Sequence, residues 1–121
     1  MKCCVVVDAS RVIRTVAWRR LESLQFHALE AGDGNSALAA CRRNMPDLIL
    51  LDWSMPDMGG IEFIRNLRRE NGGERPVIVF CTIENNADQI THALAAGAAE
   101  YVVKPFDRDT IAAKIAQVGL A

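Results

Sequence analysis

The chain has 121 residues, 50% of them hydrophobic and 24% charged, with a formal net charge of -1. That length fits one domain, residues 1–121, with a real core, and the composition excludes a disordered chain. The near-neutral charge gives no electrostatic reason to expect a nucleic-acid partner, and no apolar stretch reaches the ~20 residues that span a membrane.

The N-terminal apolar run is interrupted by Asp8, Arg11 and Arg14 before it reaches the length of an export signal. Residues 3–7 are continuously apolar and largely β-branched, as in a strand buried on both faces. Ser10 suits the N-cap of a helix running to about Leu24, with Ile13, Val16, Ala17, Leu21 and Leu24 inward. Arg20 falls within that apolar arc, where a snorkelling side chain is the simple account. A short, weaker strand follows near 27–31, and Asp33 or Asn35 caps a helix to about Arg43 carrying Ala37, Leu38 and Cys41 inward. Pro46 punctuates before a strand at 48–51. Gly59 and Gly60 open a helix that packs Ile61, Ile64 and Leu67 and fades at Asn71-Gly72-Gly73. Pro76 precedes a strand at 77–81, and a helix over 87–96 ends at Gly97. A last strand near 99–103 leads into a closing helix over 107–117.

Of the four cysteines, Cys3, Cys4 and Cys81 fall in expected strands, and with Cys41 they form no CxxC pair. They read as small hydrophobes, in keeping with a reducing cytoplasm, rather than as zinc ligands or disulfides.

Strict alternation of five strands and five helices implies right-handed crossovers, hence an α/β, doubly wound fold with a parallel sheet covered by helices on both faces. Four apolar runs each end in one polar residue: Asp8, Asp52, Thr82 and Lys104. In such a sheet ligands bind beyond the carboxyl ends of the strands, where strand order reverses. Two carboxylates, a hydroxyl and an ammonium meeting there make a metal-assisted phosphate site. The loop Asp8-Ala9-Ser10-Arg11 has no GxGxxG, which argues against a nucleotide-binding version of the sheet.

These residues resemble the receiver domain of two-component response regulators, especially single-domain, chemotaxis-type members. The strongest match is Leu50-Leu51-Asp52-Trp53-Ser54-Met55-Pro56-Asp57-Met58, followed by Thr82 and by Tyr101-Val102-Val103-Lys104-Pro105-Phe106. The resemblance covers essentially the whole chain and implies a flavodoxin-like (βα)5 sandwich with strand order 2-1-3-4-5. It implies Asp52 as an exposed phosphoacceptor, with Mg²⁺ held by Asp8, Asp52 and the main-chain carbonyl of Ser54. Lys104 and Thr82 would bind the phosphoryl oxygens, and Tyr101 would turn inward as part of the switch. It further implies a cis Lys104–Pro105 peptide, and Ser54 and Glu84 as residues that tune the lifetime of the phosphate. In this family the first helix commonly docks the histidine-bearing donor, a histidine kinase or phosphotransferase, and here it would offer Arg11, Arg14, Trp18 and Arg19. Asp57, Glu62, His27 and His92 read as solvated or packing residues. No output domain is expected after Ala121, so the signal would pass by contact to a downstream protein or the phosphate would pass onward in a relay.

Three residues depart from the family pattern. Ala9 stands where a second acid usually touches the metal, Ile83 where a small residue follows the switch threonine, and Gly59 where Asp is common. Loss of a ligand or its supporting partner typically costs on the order of 10–100-fold in metal affinity, so Mg²⁺ binding is expected to be weakened. The alternative reading is a pseudo-receiver, a protein-binding module that signals without phosphate because Ala9 has disabled the metal site.

Overall fold

The computed structural model describes residues 1–82 and 87–120. In chain order it contains β1 (Lys2–Val7), α1 (Arg11–Ser23), β2 (Phe26–Ala31), α2 (Gly34–Arg43), β3 (Leu48–Asp52), α3 (Gly60–Arg68), β4 (Val77–Thr82), α4 (Ala87–Ala96), β5 (Glu100–Val103) and α5 (Arg108–Gln117). All strand pairs are parallel and the sheet order is β2-β1-β3-β4-β5. The doubly wound flavodoxin-like architecture read from the sequence is the observed one.

The continuous apolar runs explain the layering. Successive strand residues point to opposite faces, so a strand covered on both sides must be apolar throughout. Val5, Val7, Ile49, Leu51, Ile78 and Phe80 face a layer made by α2, α3 and α4. Cys4, Val6, Leu48, Leu50, Val79 and Cys81 face the other, made by α1 and α5. The edge strand β2 alternates instead, with Phe26 and Ala28 buried and His27 and Leu29 exposed, which is why its sequence signal is weak.

Side chains on the preceding loop residue start three helices: Ser10 Oγ accepts from the Ile13 N–H, Asp33 Oδ1 from the Ser36 N–H, and Asp107 Oδ1 from the Thr110 N–H. Asp33, not Asn35, is therefore the cap of α2. The Thr110 N–H and hydroxyl hold the Asp107 carboxyl below the usual carboxylate range, with the charge of Arg20 adding to the effect. Gly97 ends α4 with a φ of +120°, where a side chain would be strained.

Two packing expectations are corrected, and one turn carries no sequence signal. Val16 is 43% exposed, so the buried stripe of α1 narrows to Ala17 and Leu21. Phe63, absent from the expected core, is fully buried in α3, while Ile61 is only half-buried. Gln25 turns the chain between α1 and β2 with a φ of 71°, at a position carrying no Gly or Asn signal.

Phe63→Ala is expected to cost about 3–5 kcal/mol, the usual range for emptying an aromatic core site. Val12→Ala, at a position 74% exposed, should stay within about 0.5 kcal/mol. Urea denaturation of both variants checks the contrast.

Candidate functional site

Asp8 follows β1, Asp52 ends β3, Thr82 ends β4 and Lys104 follows β5. Chain order reverses between β1 and β3, where α1 leaves toward one face and α3 toward the other. The structure therefore gathers all four polar residues at one sheet edge, beside the switch in strand order.

Lys104 organises the group. Its Nζ donates to Asp8 Oδ2 at 2.7 Å and to Asp52 Oδ1 at 3.1 Å. Only 6% of the Lys104 and Asp8 side chains and 15% of the Asp52 side chain meet solvent. The expectation of an exposed acceptor is corrected: Asp52 sits in a narrow opening, its neighbours covering most of it. Burial alone would lower the Lys104 pKa, but the hydrogen bond to Asp8 and the charges of Asp52 and Asp8 override it, holding the ammonium above the ordinary lysine value.

The backbone fixes these groups in place. The Lys104 N–H donates to the Thr82 carbonyl at 2.6 Å, and Lys104–Pro105 is cis. Thr82 is buried, and its Oγ1 donates to Gln89 Oε1 on α4 at 3.5 Å. Asp8 Oδ1 accepts the Ser10 N–H at 2.8 Å, so both oxygens of this carboxylate have protein partners.

The donor set matches Mg²⁺ in kind. Asp8 and Asp52 supply hard carboxylate oxygens with one unit of negative charge left after Lys104, and Mg²⁺ takes few protein oxygens alongside retained water. The residue after Asp8, where the resemblance leads one to expect a second acid, is the exposed Ala9. Among the described residues no three His, Cys, Asp or Glu side chains cluster as metal ligands. Ser54, the remaining candidate donor, is exposed and faces Gly59 in a narrow ribbon after β3. A Gly60 N–H to Trp53 carbonyl bond of 2.8 Å closes the ribbon's base.

The other expected site residues divide. Tyr101 is half-buried against the α4 side of the core, with Lys114 Nζ 5.0 Å from its ring centre. Glu84 and Ile83 lie outside the described residues. Arg11 and Arg19 are exposed on α1, but Arg14 and Trp18 do not project freely as expected. Arg14 donates to the Asp8 carbonyl at 2.6 Å and pairs with Glu30, while Trp18 Nε1 donates to the Ala28 carbonyl at 2.9 Å. Both reach β2, against which α1 packs.

Sequence reasoning missed two features. An apolar groove of about 280 Å³ runs between α1 and the loop after β5, lined by Val12, Ile13, Val16, Pro105 and Phe106 among others. Asp57, read as a solvated acid, accepts from the Gly34 and Asn35 N–H groups at 2.8 Å each. Those bonds, Gly34's first, hold its carboxyl below the usual range. Neither partner is near Asp57 in sequence, so no local signal announced the contact. His27, His92 and Glu62 are exposed, as expected.

The sequence profile of the response regulator receiver domain matches residues 4–116. The chain is 36% identical, over 92% of its length, to the probable transcriptional regulatory protein TcrX of Mycobacterium tuberculosis. It is 35% identical, over 94% of its length, to the phosphate regulon transcriptional regulatory protein PhoB of Escherichia coli. It spans 47% and 50% of those two proteins, about half of each. Similarity to the chemotaxis protein CheY-3 of Vibrio cholerae is 31%, covering 94% of this chain and 88% of that one. The solved structure of Vibrio cholerae chemotaxis protein CheY4 superposes with a TM-score of 0.91 at 30% identity, covering 98% of both chains.

Lys104→Met should leave two buried carboxylates without their cation and cost about 3–5 kcal/mol, the range for breaking a buried pair from one side. Asp8→Asn added to it should recover part of that loss, as read by chemical denaturation. Because the folded-state pKa of Lys104 is raised, its contribution should be complete below about pH 10.4 and fade as pH rises through the higher folded value.

Proposed function

The chain belongs to the response regulator receiver domain family, and from that premise we propose that it is a phosphoryl-accepting switch. The observation that carries the proposal is the Asp8–Lys104–Asp52 cluster, with Thr82 at the adjacent strand end. A histidine kinase or phosphotransferase presents a phosphohistidine at the opening over Asp52. A carboxylate oxygen of Asp52 attacks phosphorus; the O–P bond forms as the N–P bond breaks, and the electron pair returns to the donor imidazole. Asp8, Asp52 and the Ser54 carbonyl would hold Mg²⁺, whose chemistry is to neutralise charge on the transferring phosphoryl oxygens. Lys104 sits where it can shift from Asp52 Oδ1 to one of those oxygens, and Thr82 donates to another.

The new group adds about -1.5 to -2 charge and strong acceptors to a site whose partners lie on two loops. Thr82 exchanges Gln89 for phosphate, coupling the site to α4. Inward rotation of Tyr101 gives up its contact with Lys114 and remodels the face formed by α4, β5 and α5 for a downstream protein. Ser54 and Glu84 tune how long the phosphate survives. The donor docks on α1, where Val12 and Val16 line the groove and Arg11 and Arg19 are exposed on the same helix. Arg14 and Trp18 serve that surface by pinning α1 to β1 and β2. The place of work is the cytoplasm, where four free cysteines stay reduced. No nucleic acid or membrane enters the scheme. The chain is a signalling domain, not an enzyme for a diffusible substrate, though the same groups would assist its own phosphorylation and dephosphorylation.

One observation favours the pseudo-receiver as the second reading: Ala9 removes a donor, and both Asp8 oxygens already have protein partners. Incubation with a phosphohistidine donor or small phosphodonor, with and without Mg²⁺, separates the two. The switch requires label in the wild type that depends on Mg²⁺ and disappears in Asp52→Asn. Label that persists in that variant would exclude Asp52 as acceptor, and none in either would establish the pseudo-receiver. Ala9→Asp should tighten Mg²⁺ binding by roughly 10–100-fold, the usual worth of a ligand or its supporting partner.

A further inference from the structure

The ribbon after β3 is held at three levels. Its base is the Gly60 N–H to Trp53 carbonyl bond, and a Met55 N–H to Met58 carbonyl bond of 3.3 Å spans its middle. Its tip is tied outside itself: the Asp57 carboxylate places one oxygen on the Gly34 N–H and the other on the Asn35 N–H, both at 2.8 Å. Met58 packs beside the same point so closely that a Cβ on Gly34 would lie 2.5 Å from its Cγ and Sδ. The first two amides of α2 are therefore joined to a residue more than twenty positions further on.

This tie closes a circuit through the site. Asp8 donates its N–H to the Ala31 carbonyl at 3.1 Å, which fixes the end of β2 to the residue that carries one carboxylate. From Ala31 the chain passes through Gly32 and Asp33 to α2, then through Asp57 back to the ribbon bearing Ser54, two residues past Asp52. Ser54 and Asp8 thus belong to one braced frame, although they lie on loops from different strands. Asp33 caps α2 from within its own turn, through the Ser36 N–H at 2.7 Å, whereas Asp57 takes the two preceding amides and so links the helix to the ribbon.

We propose that Asp57 is a positioning residue that holds the Ser54 carbonyl in register with Asp8 and Asp52 for a divalent cation. This rests on the reading of the site as a Mg²⁺-assisted phosphoacceptor. It matters more in this chain than the number of ligands suggests: with Ala9 supplying no donor, the Ser54 carbonyl is one of few oxygens left. Met55 and Met58 anchor one side of the ribbon in the core, and the Asp57 carboxylate adds the directional tie to α2 that apolar packing does not supply.

The test compares Mg²⁺ titrations of the wild type, Asp57→Ala, Asp57→Asn and Asp33→Ala, followed by the fluorescence of Trp53, whose ring lies 5.1 Å from that of Phe80 beside Asp52. Each is paired with a thermal melt. Asp57→Ala should raise the Kd for Mg²⁺ roughly tenfold, the low end for loss of a supporting partner. Asp57→Asn, which keeps one carbonyl oxygen, should fall between it and the wild type. Asp33→Ala removes the other cap of the same helix and should lower the melting temperature while leaving the Kd unchanged. A Kd in Asp57→Ala equal to that of the wild type overturns the proposal, as does an equal weakening in Asp33→Ala. A wild type with no saturable response at tens of millimolar Mg²⁺ overturns it at its premise, and that failure is distinct because it appears before any substitution.

Discussion

The arrangement depends on one ammonium group held between two carboxylates. Asp8 and Asp52 end neighbouring parallel strands, and side by side in a water-poor recess their charges would repel. Removing Lys104 would leave two buried carboxylates without compensation, which is far more costly than the net gain from the complete set. The ammonium can take up that position because β5 lies on the β4 side of the sheet, so that Lys104 reaches across. The bond from the Lys104 N–H to the Thr82 carbonyl is what delivers it there. Fold and chemistry are secured by the same contacts.

That economy constrains how the site can change. In the proposed switch, incoming phosphate would compete for Lys104 and Thr82, donors whose partners in this structure include Asp52 and Gln89. Asp8 is different. Its Oδ1 is bound to the local Ser10 N–H and its carbonyl to Arg14, so it belongs to the fixed part of the recess. A rigid acid, a transferable cation and a hydroxyl on a neighbouring loop divide the work between scaffold and switch.

Much of this was legible in the sequence, and the physical reason is local. A strand buried on both faces must be apolar, so a lone Asp, Thr or Lys at its carboxyl end stands out against the run. Sheet topology then brings those ends together whatever lies between. What was not legible depends on contacts through space. Asp57 looks like any acid after a proline until α2 arrives beside it. Trp18 and Arg14 fall on the polar side of α1 by periodicity, yet they find partners at the sheet edge. Val16 has the right spacing for the core but lines the open groove beside Pro105 and Phe106, and Phe63 takes an inward position in α3. Helical period fixes relative direction along one helix; it says little about how wide a stripe the neighbouring layer will cover.

The two-sided packing of the central strands has a wider consequence. Neighbouring residues such as Ile78 and Val79 belong to opposite half-cores, one under α2, α3 and α4 and the other under α1 and α5. A mutation in one half-core alters the compliance of one wall of the molecule while the sheet shields the opposite wall. The exterior on one flank can thus diversify toward new associates without retuning the other, a modularity that requires no second domain.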